Sequence, residues 1–168
     1  YTVLLASLFL LAGCSNVEEE PKEVEAVSSS YVKVIEPLNE QQQKAFDSLN
    51  DFNIFANNYA NVEPIERSPL WDDYIYGTKV TWTGTIVEVG GKKITLIDTN
   101  YYYDGASYLD LADKPEIYRV FMASFNYELP KSTLTPGQQL TVTGDLESRG
   151  NPINPATHWK MYNSEIVQ

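Results

Sequence analysis

Few residues in this chain could carry chemistry. It has one cysteine, Cys14, and one histidine, His158, far apart in the sequence. Nucleophilic catalysis needs a nucleophile, a base and a group that orients the base. His158 lies in the turn-rich "NPINPATHW", where a lone histidine is more often a polar surface residue than a general base. A zinc site would need Cys/His pairs at ligand spacing, and the sequence has none. Carboxylates are better supplied. The stretch "DTNYYYDGASYLDLAD" brings Asp98, Asn100, Asp104, Asp110 and Asp113 together as hard oxygen donors. Their spacing does not follow the alternating ligands of a twelve-residue calcium loop, so no metal ligand is assigned. Glu88 with Asp98, or Asp72 with Asp73, are the carboxylate pairs available for glycoside hydrolysis, and nothing in the sequence fixes their separation. The reading is that the chain is not an enzyme and carries no cofactor.

The same stretch holds Tyr101, Tyr102, Tyr103 and Tyr108, with Tyr118 and Tyr127 following. Tyrosine joins a stiff apolar ring to a hydrogen-bonding tip, which suits recognition of a protein or a sugar. Three successive tyrosines cannot all point inward from one strand, because side chains alternate. Some rings are therefore expected to form a binding surface. The alternative is that they plug a core or pack on a helix.

The elements that position these residues follow from periodicity. "PLNEQQQKAF" starts a helical pattern with Asn39 as N-cap and Ala45, Leu49, Phe52 and Ala56 as its apolar stripe, which predicts one helix over 39–58. From Lys79 the period becomes two: Val80, Trp82, Gly84 and Ile86 share one face, and Val87 and Val89 take the other. Such a parity change needs a bulge or a bend, and Gly84 stands beside it. "VGGKKITLI" is expected to be a hairpin in which Gly90-Gly91 supplies positive φ. Further strands are expected at "YRVFMASF", at "QQLTVTGDLES" after the turn "TPGQ", and at "HWKMYNSEIV". The phrase "VTWTGTI" at Val80 returns as "LTVTGDL" at Leu140, which suggests two strands of one barrel bent at Gly84 and Gly144. The predicted fold class is mainly β, a five-stranded OB-type Greek-key barrel preceded by an N-terminal α-helix.

Charge narrows the partners. The net charge is −11, with ten Asp/Glu against three Lys in residues 1–64 and thirteen against nine Lys/Arg in 65–168. Lys92-Lys93 is the only basic pair, so a counterion-releasing face for nucleic acid is missing and nucleic acid is a poor partner. An apolar fraction of 43% allows a real core.

Ahead of Cys14 runs "YTVLLASLFLLAG", uncharged, apolar and too short to cross a bilayer as a helix. At "LLAGCS" the residues Leu11, Ala12, Gly13 and Cys14 match the bacterial lipobox position by position, and the segment resembles a lipoprotein signal. The resemblance implies cleavage before Cys14 and attachment of palmitate-type acyl chains, which hold a protein at a membrane. Ser15 after the cysteine would favour the outer membrane in a Gram-negative cell. With Tyr1 first and no basic segment, the signal is expected to begin upstream. "SNVEEEPKEVEAVSSS", with five Glu and no aromatic residue, reads as a solvated tether. The expected organisation is a signal at 1–13, lipidated Cys14 and a disordered acidic tether at 14–36, a helical segment packing on the barrel at 37–69, and the OB domain at 70–168.

Residues 70–168 resemble the tRNA-anticodon-like branch of the OB superfamily. The residues that carry this are "GTKVTWTGTIVEV", "LTPGQQLTVTGDLES" and the closing "SEIV". The resemblance implies that strands one and four pair. It also implies ligand contacts on strands two and three and on the loops after strands one and four. Here the loop after strand one is only the Gly-Gly turn, whereas the tyrosine loop and "ESRGNPINPATH" are long. Tyr101, Tyr102, Tyr103, Tyr108, Arg149 and Asn151 are therefore the expected partner-binding residues. The expected function is a membrane-anchored, extracytoplasmic, non-catalytic protein that binds an envelope protein or glycan. An oligonucleotide-binding module is the alternative, and an envelope hydrolase using carboxylates a more remote one.

Overall fold

The structure is a computed structural model that describes residues 33–130, 132–154 and 157–167. The expected signal, Cys14 and the acidic run at 15–30 lie outside the described residues. From Ile35 onward the chain forms one compact unit.

Its helices come first. Asn39 begins α1 (Glu40–Asp47) through a reciprocal cap: its Oδ1 accepts from the Gln42 backbone and Gln42 Oε1 accepts from the Asn39 backbone, both at 2.9 Å. The single helix expected over 39–58 is instead two. α1 ends at Ser48, and Asp51 opens α2 (Phe52–Asn61) by accepting from the Ile54 N–H at 3.0 Å. The break costs little because Asp51 satisfies a donor that would otherwise be orphaned. It lets α1 and α2 fold back as a hairpin. Pro64 starts α3 (Pro64–Leu70), whose Arg67 donates to the carbonyls of Val62 and Ala60 at 2.8 Å each. A π turn over Trp71–Ile75 follows and leads into the sheet.

The five strands are β1 (Lys79–Val89), β2 (Lys93–Ile97), β3 (Val120–Ser124), β4 (Gln139–Ser148) and β5 (Trp159–Ile166). They close as a barrel in the order β1-β2-β3-β5-β4, mixed because β3 and β5 run parallel. This is the OB-type arrangement expected from the strand pattern. In β1 the parity change is a bulge: Ile86 pairs with Leu96 and Glu88 with Thr95, which leaves Val87 unpaired between them. Ile86 therefore faces the main core, while Val87 joins Ile97, Leu111, Ile117 and Val120 in a smaller cluster.

One expectation about glycines needs correction. Among the described glycines only Gly77, Gly105 and Gly137 have positive φ, so the β1–β2 turn does not use the left-handed region at Gly90-Gly91. It closes with Gly90 N–H donating to the Lys93 carbonyl at 2.7 Å. Gly84 and Gly144, expected at strand bends, are not there for positive φ. What they provide is room: a Cβ on Gly84 would lie 2.8 Å from the Ile97 carbonyl oxygen, and one on Gly144 would lie 2.9 Å from that of Tyr162.

An aromatic core joins the helices to the barrel. Phe52 of α2 packs with its ring centroid 4.7 Å from both Trp82, tilted, and Phe121, edge-on, and Phe55 and Tyr59 lie 5.0 and 5.2 Å from Trp159. Two of the three buried indoles donate to backbone carbonyls. Trp82 Nε1 donates to the Leu49 carbonyl at 2.6 Å, and Trp159 Nε1 to the Tyr118 carbonyl at 3.1 Å. Tyr118 in turn donates its hydroxyl to the Ala56 carbonyl at 2.8 Å. Helices and barrel thus share one core.

Candidate functional site

The long connection from β2 to β3 is built from short capped turns. Asp98 accepts from the Asn100 N–H at 3.0 Å and starts a 3₁₀ turn over Thr99–Tyr101. Ser107 caps the one-turn helix α4 (Tyr108–Leu111), and its hydroxyl donates to Asp110 Oδ2 at 2.6 Å. A second 3₁₀ turn over Pro115–Arg119 returns the chain to β3. Between these anchors the tyrosines separate into two sets.

Tyr101 and Tyr103 are 40% and 43% exposed. Each ring has a cation over its face. The guanidinium carbon of Arg119 lies 4.9 Å from the Tyr101 centroid, and Lys114 Nζ lies 5.7 Å from that of Tyr103. Arg119 also donates to Asn57 Oδ1 on α2, while its buried Nη1 meets no partner among the described residues. Tyr102 and Tyr108 instead pack half-buried on the Val87–Ile97 cluster. Tyr118 is buried, and burial pushes its hydroxyl well above the usual tyrosine range. Tyr127 is 45% exposed and rests edge-on against Phe125.

The loop after β4 is tied down by the two residues singled out there. Arg149 donates Nη1 to the Arg67 carbonyl at 3.1 Å and Nη2 to Ser68 Oγ at 3.0 Å. A longer contact of 3.3 Å reaches the Tyr59 hydroxyl. Its planar fork thereby joins the loop to α2 and α3. Asn151 Oδ1 accepts from the N–H groups of Ile153 and Asn154, an Asx turn within the loop. Both are committed to holding the loop's shape, and they border a polar hollow with Pro64, Arg67 and Ile153. The structure does not bring them together with Tyr101 and Tyr103 in any one cavity described.

His158 is not the surface residue expected. It is 6% exposed, its ring meets that of Tyr108 edge-on at 5.5 Å, and its Nε2 has no partner among the described residues. Burial, with a smaller contribution from the Lys160 charge, lowers its pKa to about 4. The residue before a buried tryptophan on the last strand had no sequence signal of its own for burial.

Of the carboxylates first weighed for calcium, Asp98 is buried and Asp104, Asp110 and Asp113 are exposed. Among the described residues no group of three or more His, Cys, Asp or Glu is placed to hold a metal ion. Sequence reasoning missed Arg119. Its adjacency to the β3 run was visible, but its stacking on Tyr101 depends on how the preceding turns fold.

No protein-family model and no curated protein matches the chain. Two solved structures are similar in part. One is a lipoprotein from Klebsiella pneumoniae subsp. pneumoniae to which nucleic-acid binding has been ascribed, 14% identical over 79% of this chain and 100% of that one, with a TM-score of 0.39. The other is a yobA protein from Bacillus subtilis subsp. subtilis, 14% identical over 54% of this chain and 97% of that one, with a TM-score of 0.36.

Proposed function

We propose that this chain is a lipid-anchored, extracytoplasmic barrel protein that binds a protein or glycan partner and performs no chemistry. The observation that carries the reading is the pair of exposed rings, Tyr101 and Tyr103, each faced by a cation and each set on a loop braced by capped turns. Rigid aromatic faces of this kind lose little conformational entropy on binding, which is why they anchor interfaces. The non-catalytic part of the reading is supported by His158, whose ring is buried beside Tyr108 with its Nε2 unpartnered among the described residues.

The anchoring part rests on Leu11-Ala12-Gly13-Cys14 and follows the resemblance to a lipoprotein signal. Expressed with its native start, the protein should partition into detergent and carry acyl mass on Cys14, and Cys14→Ser should abolish both. Wild-type protein that stays in the aqueous phase with an unmodified cysteine refutes it.

Binding is tested by crosslinking in the native envelope with wild type and a Tyr101→Ser/Tyr103→Ser double variant. Loss of a specific crosslinked species in the variant supports the reading, and identical species in both defeat it. The oligonucleotide alternative predicts retention on single-stranded DNA that falls steeply with salt, against the net charge of −11.

A further inference from the structure

A cleft of about 210 Å3 lies between the start of α2 and the end of β2, lined by Asn50, Asp51, Asn53, Thr83, Asp98 and Thr99 around Phe52. Asp98 is its buried polar member, 4% exposed. Its Oδ1 accepts from the Asn100 backbone and side chain at 3.0 and 3.1 Å, and its Oδ2 meets no donor among the described residues. Native proteins rarely leave a buried carboxylate oxygen without a donor. The χ2 torsion of aspartate is broad, so a small turn presents the free oxygen to the cleft. Asp51 adds a second carboxylate, one of whose oxygens already caps α2.

No Lys or Arg lines this cleft, so it is unsuited to an anion. The other polar groups are amides and hydroxyls, which donate as well as accept. A metal ion or an ammonium group would answer the carboxylates and leave those donors unmatched, and no three-residue metal group exists among the described residues. A sugar hydroxyl does both jobs: it donates to Asp98 and accepts from Asn50 or Asn53.

The cleft also borders others. It shares Asn50 and Asp51 with a shallower hollow of about 510 Å3, which shares Lys44 and Asn58 with a third of about 460 Å3. Ile54, 50% exposed, offers an apolar surface in the middle one. We propose that this run of hollows along the α1–α2 hairpin binds a neutral oligosaccharide, with one sugar ring seated in the Asp98 cleft. At about 210 Å3 the cleft has room for a single pyranose. This goes beyond the tyrosine-face reading, and either can fail without the other.

The test uses the full chain with two neutral β1,4-linked tetrasaccharides, cellotetraose and tetra-N-acetylchitotetraose, read by saturation-transfer NMR and titration calorimetry. Asp98→Asn keeps the cap on Asn100 and removes the charge, and Asn53→Ala removes one amide from the wall. At least one tetrasaccharide should bind wild type, and both variants should weaken it by about fivefold or more, as loss of one or two hydrogen bonds does. Unchanged melting temperatures establish that the variants are folded, and Leu109→Ser, at an 83% exposed position outside these hollows, should bind the sugar as wild type does. The proposal is overturned if neither sugar binds wild type, or if folded Asp98→Asn and Asn53→Ala bind as tightly as wild type. Calcium that stabilises wild type but not Asp98→Asn, with no sugar bound, would overturn it in favour of a cation site.

Discussion

Trp82 of β1 sits directly opposite Val142 of β4, and around that pair the two copies of Thr-x-Thr-Gly lie antiparallel on each other. Thr81 meets Thr143 and Thr83 meets Thr141, with hydroxyls 3.2 and 2.8 Å apart, while each glycine faces the first apolar residue of the other copy. The repeated phrase is thus a self-complementary ladder, with threonines outward and an indole inward. Gly84→Val and Gly144→Val should each destabilise the protein by about 1–3 kcal/mol or more, because their Cβ atoms have no room. Thr81→Val should cost less than about 0.5 kcal/mol. Urea unfolding of the three variants decides this, and equal losses would refute it.

The two tyrosine sets should respond differently to truncation. Tyr102→Ser removes a ring packed on the Val87–Ile97 cluster and should cost about 2–4 kcal/mol. Tyr103→Ser removes a 43% exposed ring and should cost under about 1 kcal/mol. Thermal unfolding of both variants checks the difference.

Arg149→Ala should destabilise by about 1–3 kcal/mol, since it removes the bonds to Ser68 and to the Arg67 carbonyl at once. Arg149→Lys should recover only part of this, because an ammonium cannot span both acceptors. Amide exchange across 149–154 should accelerate in both, more in the alanine variant.

Acid should weaken the fold through His158. Its folded pKa, about 4, lies below the ordinary 6.5, so between these values the unfolded chain binds the extra proton. The stabilisation from keeping it neutral is complete above pH 6.5 and is lost as pH falls towards 4. Carboxylates titrate over part of the same range, so the measurement is the difference between wild type and His158→Phe. The variant should show a flatter loss of stability from pH 6.5 to 4, and parallel curves would exclude the effect.

The barrel was legible because two of its strands alternate apolar and polar residues over Lys79–Ile86 and Gln139–Leu146, and because a period of two has few competing explanations. The α1–α2 break was harder to read. The apolar stripe continues in phase from Ala45 to Ala56, and only Asp51 as a second cap marks the stop. The segment from Pro64 to Ile75 carries Pro69 inside a helix, which argues locally against the helix that tertiary packing nonetheless holds. At the site, the tyrosine loop stood out by composition. Which rings face outward depends on the caps at Asp98 and Ser107, and His158's burial depends on Tyr108 folding over it. Neither is a property of neighbouring residues alone.

The order of strands in the barrel also sets an order in time. β2 follows β1 through a tight turn, but the other side of β1 waits for β4, so that Val80 finds Gly144 only after the intervening chain has been made. Pairings this distant in sequence form slowly, and until then β1 carries an open edge of alternating apolar and threonine residues, a template for wrong partners. The helical hairpin precedes β1 and already supplies Phe52 and the Leu49 carbonyl to Trp82, so the inner face can be shielded early. The outer edge has no such cover. Closure falls to β5, which bridges β4 and, by three parallel rungs from Phe121–Trp159 to Ala123–Met161, β3. The last strand acts as a latch, and a chain stalled before it would hold a curled, open sheet.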